Sequence, residues 1–490
     1  MSAQYDVVVV GAGPNGLTAA AVLGLAGLHV LVLERNQTIG GGCRTEALTR
    51  PGFAHDVCSA IHPMAVLSPV FRRLELTRHG VEWVNPPVAL AHPLDDGRAA
   101  VLVRDLEETA RRLGADGRVW RRMFAPFVAR HDALFSDLLR PLRFPKHPLL
   151  AARFGLRALR SCKNVVPAFS GDAARALFAG NAAHSLLPLD APGSASFGLA
   201  LALAAHAVDW PCAKGGSQTI VSALAQIITA HGGEIRTGTE VGALADVPSS
   251  RAVLFDVTPR QLAAIAAPDL PASYLTRLRR YRYGMGVFKV DYALSTPIPW
   301  RAAECREAGT VHVGGTFEEI ARSEADADAG RVCDRPFVLV AQQSVFDPTR
   351  APDGMHTGWA YCHAPNGTSE DLTTRIENQI ERFAPGFRDA VLARHVTTPR
   401  DLEARNPNLI GGDIGGGSNR LGQFIFRPMP RGNPYSTPNP RLFLCSSATP
   451  PGGGVHGMCG YWAAHAVARR VFGRGLPPRV NPRPSLPSTA

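Results

Sequence analysis

The N-terminal segment carries the pattern that most constrains the fold of this chain. A β-branched run at residues 5–10 is followed by the glycine cluster Gly11, Gly13 and Gly16. An Ala/Leu-rich segment comes next, and a second apolar run then ends on Glu34. A strand, a glycine turn, a helix, a second strand and a trailing acidic residue, in this order, form the fingerprint of a dinucleotide-binding unit. The segment therefore predicts a βαβ unit at the start of a parallel sheet.

Each glycine of this cluster has a separate role in such a unit. Gly11 permits the tight turn, Gly13 lets the backbone approach a pyrophosphate, and Gly16 lets the helix pack on the strand. The helix N-terminus then presents free N–H groups and the positive end of its dipole to the phosphates. Glu34 is expected to accept hydrogen bonds from ribose hydroxyls. The alternative is a βαβ turn that binds no ligand.

Three further segments carry glycine-rich or helix-opening signals. A second glycine cluster at residues 40–42 precedes Arg44, whose guanidinium offers a fixed fork for a phosphate. Gly215 and Gly216 open a helical segment in the middle of the chain. Near the C-terminus a short apolar strand, a glycine turn and a helix follow one another at residues 442–472. These segments indicate that the nucleotide-binding unit is assembled from distant parts of the sequence.

Composition excludes several classes of protein. A chain of 490 residues can bury a large core, so no disulfide or structural metal is required for folding. The net charge of +11 is scattered without a basic run, which argues against nucleic-acid binding. Nine cysteines without a Cys-x-x-Cys pair indicate reduced thiols and exclude a redox-active dithiol. The N-terminus shows no secretory signal pattern, so we expect a cytoplasmic protein.

Two apolar or amphipathic segments leave alternatives open. Residues 149–159 place Arg153, Arg157 and Arg160 at helical spacing, which is typical of a solvated helix face or of a peripheral contact with an anionic membrane. Residues 195–208 are too short to span a bilayer. That stretch is expected to be a buried helix, or a helix that lines an apolar substrate tunnel.

The order of these motifs along nearly the whole chain resembles a known family. The sequence is similar to FAD-dependent oxidoreductases of the phytoene desaturase and amine oxidase superfamily, and within it to the phytoene dehydrogenase-related branch. The segments that carry the resemblance are residues 7–16 with Glu34, residues 39–45, residues 52–56, Gly215 to Ser217, and residues 442–464.

The resemblance implies an α/β fold with a discontinuous, Rossmann-like FAD/NAD(P)-binding domain and an inserted α+β substrate domain. The FAD-binding domain would comprise residues 1–60, 210–260 and 435–475. The substrate domain would comprise residues 61–209 and 261–434. The Pro-rich tail at residues 476–490 is expected to be disordered.

The resemblance also implies the residues around the cofactor, FAD. No second fingerprint occurs in the sequence, so a separate NAD(P)H domain is not expected, and oxygen or a quinone is the expected electron acceptor. The oligomeric state is left open. The expected FAD contacts are Gly11, Gly13, Gly16, Glu34, Arg35, Gly41, Gly42, Arg44, Val241, Gly454, Val455, His456, Gly457 and Met458.

Candidates for a catalytic base lie in two places. His456 in the C-terminal glycine turn is the first candidate, and His62 and Asp56, with the neighbouring His55, follow the second glycine cluster. His456 and Cys459 have the spacing of half a metal site, but no second pair lies nearby, so no metal is expected. Tyr461 and Trp462 are expected to be core residues or an aromatic wall beside the flavin.

These features together predict an FAD-dependent oxidoreductase. The expected reaction is dehydrogenation of a lipophilic substrate, such as an isoprenoid or polyene, by hydride transfer to the flavin. Three alternatives stay open at this point: a flavin amine oxidase, a redox-neutral polyene isomerase, and a prenyl- or lipid-binding escort protein without turnover.

Overall fold

The computed structural model describes residues 4–476, and the predicted tail from Pro477 onward lies outside the described residues. The strands in chain order are β1 (Tyr5–Val10), β2 (Val30–Leu33), β3 (Thr45–Glu46), β4 (His55–Asp56), β5 (Trp83–Val84), β6 (Val88–Pro93), β7 (Ala99–Leu102), β8 (Cys212–Ala213), β9 (Glu234–Arg236), β10 (Ser250–Phe255), β11 (Gly286–Leu294), β12 (Ala308–Val313), β13 (Val338–Ala341), β14 (His356–Ala364), β15 (Val391–Thr397) and β16 (Leu442–Leu444).

The α-helices in chain order are α1 (Pro14–Leu25), α2 (Pro63–Leu67), α3 (Pro69–Arg73), α4 (Leu106–Arg112), α5 (Gly117–Val128), α6 (His131–Leu138), α7 (Pro148–Ala158), α8 (Cys162–Val165), α9 (Asp172–Ala183), α10 (Ser194–Val208), α11 (Gln218–Ala230), α12 (Pro259–Ile265), α13 (Ala272–Arg279), α14 (Phe317–Asp328), α15 (Thr373–Phe383), α16 (Phe387–Ala390), α17 (Pro399–Arg405), α18 (Leu421–Phe426) and α19 (Met458–Phe472).

A five-stranded parallel sheet forms the centre of the nucleotide-binding region. Its strand order is β16, β10, β1, β2, β9, and every neighbouring pair is parallel. The strands come from the beginning, the middle and the end of the chain. The predicted α/β class with a Rossmann-like unit is thereby confirmed, while the predicted domain bounds stay a prediction.

Helices cover both faces of this sheet. Val7 and Val9 of β1 pack in one apolar cluster with α1, α11 and α19, whereas Val8 and Val10 pack in another with α12 and α13. Parallel strands that are covered on both faces are apolar at successive positions, which explains the continuous valine run of β1. Helix α19 lies so close to α1 that a Cβ on Gly460 would overlap the carbonyl oxygen of Asn15.

A second, seven-stranded sheet stands beside the nucleotide-binding region. Its order is β15, β11, β14, β13, β12, β6, β7, with β12 and β6 parallel and the other neighbours antiparallel. One face packs on α15 through residues such as Phe288 and Val290. The other face carries Lys289, Trp359 and Tyr361 among apolar residues, and it borders the cavity described below.

Within residues 4–476 the structure contains no helix that is both long enough and apolar enough to cross a membrane.

Candidate active site

The two glycine turns of the N-terminal unit lie against each other. The backbone turns at Gly11, whose φ is +102°, and a Cβ on Gly16 would overlap the carbonyl oxygen of Gly11. A Cβ on Gly41 would lie 3.1 Å from the Cα of Gly13, and the N–H of Gly40 donates to the carbonyl of Ala12 at 2.8 Å. Side chains are thus absent where the backbone must approach a ligand closely.

Asp256 completes this turn, although sequence analysis did not single it out. It follows β10 directly, is 5% exposed, and its Oδ2 accepts a 2.9 Å hydrogen bond from the N–H of Gly16. Burial raises its pKa to about 7, against the lowering effect of the Gly16 N–H, and the charge of Glu34 adds to the rise. The signal that could have found it is its position after a buried parallel strand, where ligands of such sheets bind.

Glu34 lies at the end of β2, as the fingerprint requires. One carboxylate oxygen accepts the N–H of Ala12 at 2.9 Å, and the other accepts the N–H of Asn36 at 2.9 Å. These bonds fix the carboxylate at the carboxyl edge of the sheet. Arg44 and Val241 are also buried, and the Nε of Arg44 donates to the carbonyl of Gly41 at 3.1 Å.

The C-terminal glycine turn brings His456 to the same region. Its Nδ1 accepts the N–H of Met458 at 3.0 Å. Burial lowers the pKa of His456 to about 4, against the raising effect of the Gly453 and Gly452 backbone. The contact with Met458 favours a role in holding the turn before α19. Its assignment as a base stays a prediction.

A cavity of about 500 Å³ joins these turns to the second sheet. We call its two parts the cofactor half and the apolar half. Of the predicted FAD contacts, those that line the cavity are Gly13, Gly41, Gly42, Gly454, Val455 and His456. Those that lie outside its lining are Gly11, Gly16, Glu34, Arg35, Arg44, Val241, Gly457 and Met458.

The apolar half is built from helices of the region between the sheet strands. Helix α10 is buried and also contributes to the lining. That residues 195–208 line a substrate tunnel stays a prediction. The indole N–H of Trp462 donates to the carbonyl of Leu139 at 3.0 Å, and neither Trp462 nor Tyr461 lines the cavity. The apolar half is lined by Phe135, Leu138, Leu139, Phe154, Phe197, Ala200, Leu201 and Phe424.

Asp56 lies outside the cavity lining, in a buried ion-pair cluster. Its carboxylate contacts the guanidinium of Arg350 at 2.9 Å, the N–H of Ser217 at 2.7 Å and the hydroxyl of Thr45 at 2.8 Å. Burial alone would raise its pKa, but Arg350 and the Ser217 N–H hold that pKa below the ordinary value. An ionised carboxylate with every partner in the protein ties β4 to the start of α11.

The neighbouring histidines belong to the same structural network. The Nε2 of His62 contacts the hydroxyl of Ser217 at 2.7 Å, and burial lowers the pKa of His62 to about 4. The Nε2 of His55 contacts the hydroxyl of Thr49 at 2.7 Å. His62, Asp56 and His55 do not line the cavity, and their predicted catalytic roles stay predictions.

Lys289, Trp359 and Tyr361 line the cavity instead, and sequence analysis did not identify them. The Lys289 ammonium forms an ion pair with Asp291 and lies 5.7 Å from the centre of the Trp359 ring. The rings of Trp359 and Tyr361 meet edge to face at 5.0 Å. A Lys-x-Asp pair inside the otherwise apolar run of β11 was the available signal, because charges in a buried strand require partners.

A histidine pair lies at the second sheet. The Nε2 atoms of His184 and His312 are 3.0 Å apart, and His184 lines the cavity. Burial lowers the pKa of His184 to about 3, so the pair is neutral near pH 7. The cavity wall therefore includes one uncharged imidazole, that of His184, with His312 behind it. Among residues 4–476, no group of three or more His, Cys, Asp or Glu side chains is arranged to hold a metal ion.

The cofactor half fits a dinucleotide. The first turn of α1 has no side-chain cap at Gly13, so backbone N–H groups point to the cavity end of the helix. The Oδ1 of Asn15 is buried without a partner in the protein, and Asn15 lines the cavity. Glycine turns that a Cβ would fill, an unpaired buried amide oxygen and an acid at the end of β2 are features that fit a dinucleotide.

Comparison with known proteins agrees with this geometry. A family model described as NAD(P)-binding Rossmann-like domain matches residues 9–74. Pyridine nucleotide-disulfide oxidoreductase domain-containing protein 2 of Rattus norvegicus is 27% identical, over 95% of this chain and 94% of its own length. The neurosporene-forming phytoene desaturase of Rhodobacter capsulatus is 26% identical, over 99% of this chain and 95% of its own. A solved structure of a putrescine oxidase variant shares the fold, with a TM-score of 0.61, 17% identity, and 96% and 99% coverage of the two chains.

The fold, the nucleotide turn and the relatives agree with one another. Over nearly its whole length the chain resembles oxidoreductases of the FAD-dependent superfamily, which confirms the sequence-based resemblance at that level. FAD, the cofactor expected from the sequence, is confirmed at the same level. The particular branch and the substrate belong to the proposal that follows.

Proposed function

We propose that this oxidoreductase dehydrogenates an uncharged, lipophilic substrate of the isoprenoid or polyene class, in a phytoene dehydrogenase-like reaction. The observation that carries the proposal is the continuous cavity, which places an apolar half of phenylalanine, leucine and alanine side chains next to the cofactor half. FAD, when bound, supplies the acceptor for a hydride. Oxygen or a quinone is the proposed final acceptor.

The charges around the cavity favour an uncharged substrate. Of the described residues that line it, Asp256 is the one Asp or Glu, and it lies in the cofactor half. Lys289 is the one Lys or Arg in the same lining. A cationic substrate would therefore meet no carboxylate in the apolar half, and the Lys289 ammonium in the lining is already paired with Asp291. Burial of a hydrocarbon in such walls is favourable at about 25 cal/mol per Å² of apolar surface.

The protein's own residues position the two reactants. The N-terminus of α1 and Glu34 hold the two ends of the dinucleotide half. The turn fixed by His456 places the N-terminus of α19 beside the cavity. A helix N-terminus stabilises negative charge that develops near it, which is the electrostatic contribution expected here. The neutral imidazole of His184, in contact with that of His312, keeps that part of the cavity polar without a net charge.

Relatives support the substrate class by their names. A limonene dehydrogenase of Castellaniella defragrans, which matches 26% of this chain, and the phytoene desaturase are named for isoprenoid hydrocarbons.

The second candidate function is amine oxidation, which the edge-to-face pair of Trp359 and Tyr361 favours, because aromatic faces bind ammonium groups. The Lys289 ammonium already lies 5.7 Å from the centre of the Trp359 ring, so that face is occupied by the protein's own cation.

Anaerobic reduction of the bound flavin tests the proposal. The purified holoprotein is mixed without oxygen with isoprenoid hydrocarbons of increasing length, with primary amines, and with NADH and NADPH. Bleaching of the flavin band by a hydrocarbon supports the proposal. Bleaching by an amine alone establishes the amine oxidase, and bleaching by a nicotinamide alone supports a reductase or a redox-neutral isomerase. A protein purified without flavin and unable to take it up would support the escort hypothesis.

A cavity-filling variant sharpens this test. Ala200→Trp adds an indole to the apolar half and leaves the cofactor half unchanged, so flavin content and reduction by dithionite should be retained while reduction by the hydrocarbon is lost. Ala230→Trp, at the exposed end of α11, is the matched control and should behave as the wild type. Equal reduction rates in both variants would place the substrate outside this cavity.

A further inference from the structure

One short stretch of the chain exposes an unusual amount of apolar surface. Over residues 4–476 the strongly exposed large hydrophobic side chains outside this stretch are Met355 and Phe426. The others all lie within residues 142–159. They form the apolar patch, defined by Leu142 (70% exposed), Phe144 (83%), Leu149 (86%), Leu156 (77%) and Leu159 (55%). Exposed apolar surface that is contiguous marks a contact with a partner or a membrane.

Helix α7 presents two different apolar faces. Leu150, Phe154 and Ala158 are buried against the protein. Leu149 and Leu156, seven residues apart in the sequence, point to the opposite side and are exposed. Two residues of the apolar patch therefore form the outer face of a helix whose inner face already packs in the core, while Leu142 and Phe144 precede that helix and Leu159 follows it.

Basic residues surround the apolar patch, and of these Arg140 is paired with an acid, Asp137, at 3.3 Å. No Asp or Glu occurs from Leu138 to Gly171. The basic residues of that stretch are Arg140, Arg143, Lys146, Arg153, Arg157, Arg160 and Lys163. An apolar face with flanking Lys and Arg is the pattern of a helix that lies in the interface of an anionic membrane.

A neighbouring hollow extends the positive surface. This cavity of about 510 Å³ contacts Leu142 of the apolar patch and Phe426, which ends α18. Its described lining contains no Asp or Glu. The arginines that line it are Arg143, Arg427, Arg431, Arg469 and Arg470. Such a hollow matches the phosphate of a lipid headgroup beside buried acyl chains.

The apolar half of the active-site cavity lies behind the same elements. Leu138 and Leu139 at the end of α6, Phe154 of α7 and Phe424 of α18 line that half. The outer side of α7 carries Leu149 and Leu156 of the apolar patch, and α18 ends at the exposed Phe426. Helices α7 and α18 thus contribute both to the exposed apolar surface and to the cavity lining.

We propose that the apolar patch is a docking surface for the interface of an anionic phospholipid bilayer. The leucine and phenylalanine side chains enter the acyl boundary, and the surrounding arginines contact the headgroup phosphates. A second copy of the chain is a poorer occupant, because two such patches would bring two basic rims together. The docking does not depend on the substrate. The idea that a lipophilic substrate enters the cavity from the bilayer rests on the proposed function.

Vesicle flotation without substrate tests the docking alone. The purified holoprotein is mixed with vesicles of phosphatidylcholine, or of phosphatidylcholine with phosphatidylglycerol, and floated through a density gradient. The wild type should float with the anionic vesicles and much less with the neutral ones, and added salt should weaken the binding. Binding to neither kind of vesicle, or equal binding to both, would overturn the proposal.

Two variant pairs identify the surface. Leu149→Ser combined with Leu156→Ser should weaken binding to anionic vesicles by about tenfold or more, whereas Met355→Ser, another exposed apolar side chain, should not. Arg153→Glu should also weaken it, whereas Arg322→Glu, exposed on α14, should not. Unchanged flotation of the leucine variant would overturn the proposal.

Light scattering provides the last comparison. A wild-type dimer that the two leucine substitutions convert to a monomer, without vesicle binding by either protein, would show a self-interface and overturn the proposal. Flavin reduction in the absence of vesicles should be the same in the wild type and the leucine variant. Loss of vesicle binding with unchanged flavin chemistry distinguishes failure of the docking surface from failure of the proposed function.

Discussion

The carboxyl group of Asp256 accepts a 2.9 Å hydrogen bond from the N–H of Gly16, at the helix end where the sequence predicts a pyrophosphate. A carboxylate and a diphosphate at one helix N-terminus repel each other, so binding of the dinucleotide favours the protonated acid. Burial raises the pKa of Asp256 to about 7. The acid is therefore half protonated near neutral pH, and it can be neutral when the anionic ligand is present.

This relationship predicts a pH-dependent affinity for FAD. In the wild type the affinity should fall as the pH rises through about 7, because the carboxylate form of Asp256 opposes the phosphates. Asp256→Asn keeps the shape and should remove that decline. The measurement is the dissociation constant of FAD, by quenching of flavin fluorescence, across this range. Identical pH profiles for the two proteins would show that Asp256 does not sense the ligand.

The titration of Asp256 also makes the stability of the folded protein depend on pH. Its folded-state pKa of about 7 lies above the ordinary value of 3.8, so the folded protein holds the proton more tightly than the unfolded chain. The contribution to stability is complete below about pH 4 and is lost as the pH rises through about 7. Asp256→Asn should flatten this part of the stability profile of the apoprotein.

Substitution of Gly16 tests the close packing of the nucleotide turn. In Gly16→Ala the new Cβ would overlap the carbonyl oxygen of Gly11, so we expect loss of FAD binding and a destabilisation of at least about 3 kcal/mol. Gly24→Ala in the same helix is the control, since its Cβ would lie at an ordinary 3.7 Å from the Cβ of His231. The control should be neutral or more stable by about 0.5–1 kcal/mol. Denaturant unfolding and flavin content measure both effects.

Removal of the Asp56 charge tests whether that residue is structural. Asp56→Asn leaves the buried Arg350 guanidinium with one anionic partner fewer, which should cost about 3–5 kcal/mol of unfolding free energy. The pKa of Asp56 is held below its ordinary value, so its contribution is present above about pH 4 and is lost as the pH falls further. Asp96→Asn, in an exposed pair with Arg98, should leave stability unchanged. Normal flavin reduction in folded Asp56→Asn would argue against a base role, and abolished reduction would support one.

Lys289 and Asp291 form a pair that can be removed in two steps. Lys289→Met should destabilise the protein by about 3–5 kcal/mol at neutral pH, because Asp291 stays buried without its cation. The pKa of Asp291 is already raised by burial, to about 6, despite Lys289. Loss of Lys289 should raise it further, so the destabilisation should shrink as the pH falls. Adding Asp291→Asn should restore much of the stability. A double variant as unstable as Lys289→Met would show that the charge is not the cause.

The role of His456 can be tested with a variant that restores its hydrogen bond to Met458. Asparagine at this position can accept the N–H of Met458, as the Nδ1 of His456 does at 3.0 Å, whereas alanine cannot. If the residue holds the turn, His456→Asn should reduce its flavin at nearly the wild-type rate, and His456→Ala should be slower with retained flavin. Equal loss in both variants would support the base role. With a pKa of about 4, His456 itself should add no step to the rate near neutral pH.

The sequence predicted the parts of the site that are formed by residues close together in the chain. The turn at Gly11, Gly13 and Gly16 depends on local spacing, and Glu34 follows in the next strand, so the sequence was sufficient to locate them. The contact of Asp256 with Gly16 joins residues 240 positions apart, and that of Asp56 with Arg350 joins residues 294 positions apart. Contacts of this kind depend on which strands become neighbours, and the periodicity of one sequence does not contain that information.

The sequence likewise could not show which candidate catalytic residues are buried away from the cavity. Histidine and aspartate are common catalytic acids and bases, but His62 and Asp56 face the protein interior. There Ser217 contacts His62 through its hydroxyl and Asp56 through its backbone N–H. Lys289 and Tyr361 lie on strand positions that face the cavity. The alternation of a strand identifies two faces, and only the packed structure shows which face borders the site.

The strand order of the parallel sheet bears on how the protein is made. Strand β16 and the turn that carries His456 are translated after the other strands of the sheet, yet they complete the sheet at β10 and the cofactor half of the cavity. During synthesis the N-terminal βαβ unit therefore exists for a long time without its final neighbours, and β10 presents an open edge. Cofactor capture has to wait until residues 442–456 have been translated. A premature stop before residue 442 would yield a chain with an intact fingerprint and no complete place for the flavin.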